Sequence, residues 1–251
     1  MKKLNIILLG TFLSFFSISS NAGLGNESIK SFNKAKKNML NILYNGSGKT
    51  VYCAADFKGK KIINLNGTRS TKYKKRAKRI EFEHFTAAQS WGQTFREWRE
   101  GDPQCVNKKG KRFKGRHCAS KINMEYRYME SDMYNLGPAI GSVNALRSNY
   151  RFVATDDPSK HLGDCKMMID SKNRSVSPPD RAKGIVARAG LYFEQAYPRY
   201  NMGKSQRQLF NAWNNQFPVT KDECRRNSLI ERIQGNVNHV VKDQCTQKGY
   251  Q

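Results

Sequence analysis

The spacing of apolar residues changes along the chain, and each change predicts a different element. Phe32, Ala35, Met39, Leu40 and Leu43 recur at helical spacing, and Asn45-Gly46 is a stop, so residues 28–45 are expected to hold a helix. From Thr50 the period shortens. Residues 50–54 and 61–65 are read as strands, with Asn66-Gly67 as a turn signal. Residues 80–84 alternate apolar and polar, which predicts a strand with Glu81 and Glu83 on one face. The last third is helical in pattern. Residues 181–197 follow Pro178-Pro179-Asp180 and end at Pro198, and residues 205–217 are closed by Pro218. Thr220 with Glu223 forms a capping box opening a helix through Ile233 that Gly235 stops. No repeat, low-complexity linker or boundary interrupts this order. The fold class expected is α+β, one mixed α/β domain over residues 23–251. Trp91, Trp98 and Trp213 are expected to fill its core.

The first 22 residues have a separate reading. Lys2 and Lys3 precede a mostly apolar run, residues 4–16, and Ser20-Asn21-Ala22 places small residues where a signal peptidase cuts. The run is shorter than the ~20 residues of a spanning helix. A cleaved signal peptide is therefore expected, with the mature chain in the periplasm or secreted and no membrane insertion. Cysteine usage agrees with export. Cys53, Cys105, Cys118, Cys165, Cys224 and Cys245 are an even set without the close pairs of a zinc site, so three disulfides are expected. Cys105 and Cys118 flank a Gly-containing basic loop and are expected to staple it, contributing about 2–3 kcal/mol in the chain-entropy model. The other four cysteines leave three pairings open.

Charge narrows the partner. Lys and Arg number 45 against 20 Asp and Glu, a net +25 that self-repulsion makes costly without a polyanion. The excess is concentrated. Residues 57–79 carry ten basic residues and no acid, and residues 106–123 carry seven and no acid. A solvated loop is the bland reading of such runs, and a phosphate-facing surface is the functional one. Lys74, Lys75, Arg76 and Lys78 in the first tract, and Lys108, Lys109, Lys111 and Arg112 in the second, are the candidate nucleic-acid contacts.

Phosphodiester hydrolysis needs a base for water near neutral pH, a divalent cation on oxygen ligands, and a cationic side chain at the scissile phosphate. Of the four histidines, His84 alone ends a strand, behind a basic tract and next to Glu83. Glu83 supplies a metal oxygen in this reading and His84 the base. A salt-bridge role for Glu83 is the competing one.

These residues also carry a family resemblance. Residues 79–84, RIEFEH, resemble the R-[VI]-E-W-E-H motif of the bacterial endonuclease I family of periplasmic and secreted non-specific nucleases. Residues 128–136, YMESDMYNL, are similar to its M-E-S-D-[ML]-H-N-L block, and residues 209–219, LFNAWNNQFPV, to its L-F-x-A-W-x-x-x-[YF]-P-V. The resemblance implies a ββα-metal finger in a mixed body, with the strand before His84 and a helix around Asn135 framing the ion. It implies His84 as general base, Glu83 and Asn135 as ligands of Mg²⁺ (Mn²⁺ or Ca²⁺ able to replace it in binding), and Arg116 of Gly115-Arg116-His117-Cys118 on the cleaved phosphate. It implies largely sequence-non-specific cleavage of DNA, with RNA as a further substrate, to 5′-phosphate and 3′-hydroxyl ends; a monomer is expected. The chain departs from the pattern at Phe82, Ala87 and Tyr134, and it lacks one cysteine pair common in the family. Two other readings keep the same charge: an exported non-catalytic binder of DNA or anionic envelope polymers, and a nuclease toxin delivered to other cells.

Overall fold

The computed structural model describes residues 25–70 and 72–250, and the expected signal segment 1–22 lies outside them. Ser31 caps helix α1 (Phe32–Asn38), accepting from the Lys34 N–H, and the helix continues as a π turn, Met39–Leu43. Ala35, Met39 and Leu43 face the core, as their spacing predicts. A three-stranded antiparallel meander follows: β1 (Ser47–Lys49), β2 (Asp56–Lys58) and β3 (Lys61–Asn64).

The strand expected at residues 50–54 is instead a turn. Alternation cannot bury two successive side chains on one face, yet Tyr52 and Cys53 are both buried. Thr50 closes the turn, pairing with Ala55 through both its backbone and its hydroxyl, and Ala54 is left-handed at φ 47°.

A short helix, α2 (Lys74–Ala77), leads into β4 (Ile80–His84), and α3 (Ala88–Gly92) and α4 (Arg96–Arg99) follow it. Cys105 and Cys118 are joined, so the expected staple is present; the other disulfides are Cys53–Cys165 and Cys224–Cys245. The end of the basic stretch, expected as loop, is helical: α5 (Arg116–Ile122), then α6 (Met124–Ser131). A 3₁₀ turn (Met133–Asn135) delivers the chain to β5 (Leu136–Ile140), which pairs antiparallel with β4, His84 opposite Leu136. Helix α7 (Gly141–Arg147) follows directly. The ββα unit is thus β4, β5 and α7. The expected helix around Asn135 is the 3₁₀ turn, and the helix of the unit lies on the far side of β5.

A small sheet comprises β6 (Arg151–Phe152), β7 (Met168–Asp170) and β8 (Ser175–Ser177), with β8 central. Four helices complete the α+β body: α8 (Asp180–Ala196), α9 (Lys204–Gln216), α10 (Lys221–Gln234) and α11 (His239–Gln247). Helix α8 joins two apolar clusters. Ala182, Val186, Ala187 and Ala189 pack with Val143, Phe210 and Trp213, whereas Tyr192, Phe193 and Ala196 pack with Trp91, Tyr126 and Met129. Its small residues let α9 approach, since a Cβ on Gly190 would overlap the Phe210 ring. Trp91 and Trp213 are core as expected, and Trp98 is half-buried at a groove.

The α10 capping box forms by half. The Thr220 hydroxyl accepts from the Glu223 N–H at 3.2 Å, and Gly235 ends the helix at φ 85°. The Glu223 carboxylate turns away to a buried bidentate pair with Arg188 of α8, at 2.7 and 2.6 Å. A charge-assisted pair to a buried guanidinium outcompetes a bond to one backbone N–H.

Candidate active site

A groove of about 1250 Å³ runs between α1, β4 and α7. Glu81, Glu83 and His84 of β4 line it, and Arg116 joins them from the start of α5.

His84 is held by backbone. Its Nε2 lies 2.9 Å from the Glu130 carbonyl. A carbonyl only accepts, so Nε2 carries the proton and Nδ1 keeps its lone pair. The ring stacks on Phe32 with centroids 5.0 Å apart and an interplanar angle of 30°. Burial, then the charge of Arg116, pushes its pKa down to about 3, so the imidazole is neutral across the physiological range.

Glu83 is almost wholly buried. Its Oε1 accepts from the Tyr52 hydroxyl at 3.0 Å and lies 3.0 Å from Arg147 Nε in an ion pair that is not aligned as a hydrogen bond. Its Oε2 has no hydrogen-bond partner among the described residues. Burial outweighs Arg147 and Tyr52 and raises its pKa to about 7. Arg147 also donates to the carbonyls of His84 (3.0 Å) and Phe85 (2.5 Å), so one guanidinium holds the end of β4 and its carboxylate together. Tyr52 is fixed in turn by Arg181, which donates to its carbonyl, and by the neighbouring Cys53–Cys165 bridge.

Glu81 is engaged differently. Arg76 grips it bidentately at 3.0 and 2.5 Å, Arg79 donates at 3.1 and 3.3 Å, and Asn144 of α7 donates at 2.9 Å. Burial alone would raise its pKa, but the Arg76 and Asn144 bonds prevail and lower it.

Arg116 is held over the groove by Glu130, whose carboxylate accepts from its Nε at 2.6 Å and from Ser120 at 3.0 Å. The Arg116 guanidinium lies 5.2 Å from the Phe32 ring centroid, and its Nη2 is buried without a hydrogen-bond partner among the described residues. Glu130 therefore serves both functional groups, His84 through its carbonyl and Arg116 through its carboxylate.

The structure brings together Glu83, His84 and Arg116, and it does not bring Asn135 to the groove. The Asn135 side-chain carbonyl accepts from the Thr86 N–H at 2.7 Å, and its amide donates to the Thr86 carbonyl at 3.1 Å. Both ends of the fully buried side chain are engaged by the turn after His84. The asparagine that lines the groove is Asn144.

The basic tracts divide similarly. Arg76 lines the groove, with Lys74, Lys75 and Lys78 exposed beside it on α2 and its C-cap. Lys108, Lys109, Lys111 and Arg112 are exposed on the stapled loop and none lines the groove; Arg112 borders a separate depression with Glu100 and Asp102. The cations that line the groove with Arg76 and Arg116 include Lys36, Lys37, Lys60, Arg79, Arg147 and Arg174. Sequence reasoning missed Tyr52, Asn144, Arg147 and the Glu130 carbonyl as parts of the site. Three of these lie in or just beyond the block that resembles the family, which was the available signal.

The model of the family described as Endonuclease I matches residues 26–245. An extracellular deoxyribonuclease of Aeromonas hydrophila is 38% identical over 218 residues, covering 84% of this chain and 89% of that protein. A periplasmic deoxyribonuclease of the same species is 37% identical over 84% of this chain and 86% of its own length. Endonuclease-1 of Buchnera aphidicola subsp. Acyrthosiphon pisum (strain APS) is 34% identical over 98% of this chain and 94% of its own. With a matched family model spanning nearly all described residues and a buried histidine–glutamate pair at a cationic groove, the chain belongs to the endonuclease I family and is a nuclease.

Proposed function

We propose that this protein is an exported, divalent-metal-dependent endonuclease that hydrolyses DNA, and RNA as a second substrate, with little sequence preference. The observation that carries the reading is the pairing of a neutral, backbone-anchored imidazole with a buried carboxylate that keeps one oxygen open, both facing a cationic groove. A protein that only bound polyanions would need the lysines and arginines, and would gain nothing from burying His84 and Glu83. Relatives named extracellular and periplasmic deoxyribonuclease support both the substrate and an address in the periplasm or outside the cell.

The donor set fits a hard cation such as Mg²⁺. Glu83 Oε2 is an unpartnered buried carboxylate oxygen, and Asn144 offers an amide on the same groove. Mg²⁺ is often held by one or two protein groups, with water and substrate phosphate completing its shell, which suits a groove without a three-residue cluster of His, Cys, Asp or Glu among the described residues. Such an ion would neutralise the charge that gathers on the phosphoryl oxygens and on the 3′ leaving oxygen. Asn135 then holds the turn behind His84 instead of acting as a ligand.

The chain's own residues do the rest. His84 Nδ1 accepts a proton from the attacking water while Nε2–H stays on the Glu130 carbonyl, which favours the imidazolium once it forms. Arg116 can pass its guanidinium from Glu130 to the phosphate, where a charge-assisted contact neutralises the product's added charge. The water oxygen bonds to phosphorus as the P–O3′ bond breaks, and the leaving oxygen takes a proton from solvent, giving 5′-phosphate and 3′-hydroxyl ends. Groove cations bind the backbone without reading bases, consistent with weak sequence preference.

Plasmid and RNA incubated with purified mature protein test this, with Mg²⁺ and with chelator. Metal-dependent cutting to ligatable 5′-phosphate ends is expected. Cutting that persists at an undiminished rate in chelator would remove the metal from the reaction.

A further inference from the structure

We propose that Lys36 of α1 and Lys60 of the β2–β3 turn, which both line the groove, form a second phosphate subsite that binds the backbone phosphate next to the scissile one. The inference rests on the nuclease reading above and deepens it by naming what grips the flanking nucleotide.

The geometry centres on Phe32. Lys36 Nζ lies 4.5 Å from that ring's centroid, the Arg116 guanidinium 5.2 Å, and the His84 ring 5.0 Å. The base, the scissile-phosphate arginine and Lys36 are therefore gathered around one side chain. Lys60 lines the same groove and is the charged group that acts most strongly on Lys36. Burial, then the charges of Lys60 and Arg116, lowers the Lys36 pKa against the smaller opposing pull of Glu130 and Glu81. Like charges crowded into a partly desolvated groove oppose folding unless a ligand brings negative charge.

Local pairing does not relieve that repulsion. Among the described residues, neither Lys36 nor Lys60 has a carboxylate within ion-pair distance. Arg76 and Arg79, the other cations on the Lys60 side, are both paired with Glu81. The two lysines are thus free charges where the neutralised ones end. A monoanionic phosphodiester oxygen between two ammonium groups satisfies both, and lysine serves as a point charge that needs no planar geometry.

The test uses oligothymidylates whose backbone is methylphosphonate, neutral and resistant, except for one natural phosphodiester. A second natural phosphodiester is then restored on the 5′ or the 3′ side, and cleavage at the first linkage is followed by product mapping. With wild-type protein and Mg²⁺, restoring the charge on one side should raise kcat/KM at the mapped linkage about tenfold, the effect of one charge-assisted contact. Lys36→Ala and Lys60→Ala should each lose most of that gain, and the double variant should lose little more than either. Lys36→Arg should keep it. A parallel arm measures binding of the same oligonucleotides by fluorescence anisotropy in chelator, where no cleavage is needed. A gain undiminished in both alanine variants, or no gain on either side in wild type, overturns the subsite. If wild type cuts neither these oligonucleotides nor natural plasmid with any divalent cation, the metal-dependent reading fails, and the anisotropy arm still decides the subsite.

Discussion

Replacing Glu83 by glutamine should make the metal-free protein more stable at pH 8 while abolishing cleavage. A glutamate in the unfolded chain titrates near 4.5, and in the fold burial raises Glu83 to about 7. The folded state therefore holds the proton more tightly. Stability from this group is fully present below pH 4.5 and is lost as pH rises through 7. The difference of about 2.5 pH units corresponds to roughly 3 kcal/mol at pH 8, and to about 1 kcal/mol or less at pH 5. Glutamine mimics the protonated acid, so the variant should gain that amount at pH 8 and nearly nothing at pH 4.5. In a domain of this size the gain is a rise in Tm of about 6–12 °C. The assay is thermal or urea unfolding of both proteins in chelator from pH 4.5 to 8.5. Adding Mg²⁺ should then stabilise wild type only, with protons released on binding near pH 7. A glutamine variant that is no more stable than wild type at pH 8 would refute the reasoning, because it would mean that Arg147 and Tyr52 already compensate the buried carboxylate.

Arg147→Ala should destabilise by about 2–4 kcal/mol, since it leaves the buried carbonyls of His84 and Phe85 without their donor while Glu83 takes up a proton; chemical denaturation measures it. Tyr52→Phe removes the donor that occupies Glu83 Oε1, and isothermal titration should show divalent-metal affinity weakened about tenfold or more with the fold intact. Neutralising Lys108, Lys109, Lys111 and Arg112 together should reduce DNA affinity and the log–log salt slope less than neutralising Lys36, Lys37 and Lys60, which line the groove; the slope flattens by about 0.9 for each duplex phosphate that a variant no longer neutralises.

Much of this site was legible because its parts are local in sequence. A five-residue alternation sufficed to put Glu81 and Glu83 on one face, and the strand ends at His84, as its pattern predicts. The Cys105–Cys118 staple was readable from a short loop, whereas Cys53–Cys165 spans 112 positions and carries no local signal. What the pattern could not supply was the pairing partner of β4. Until β5 is known to lie against β4, nothing distinguishes Asn135 from Asn144, two asparagines on either side of one strand. Pairing places Asn135 behind His84, where it binds Thr86, and carries Asn144 over the strand face beside Glu81. The Glu130 carbonyl was invisible for another reason: every residue has one, and its role depends only on where the backbone passes. Residues 50–54 misled because β-branched and aromatic residues favour strands, and the tertiary demand to bury both Tyr52 and Cys53 overrode that preference.

The chemistry proposed here stands on His84. His84→Ala, made in the mature chain, should retain DNA binding in chelator and its disulfides, and with Mg²⁺ should cleave plasmid at least ~10²-fold more slowly than wild type, the typical loss for a general base. A folded His84→Ala protein that nicks plasmid at close to the wild-type rate would contradict it.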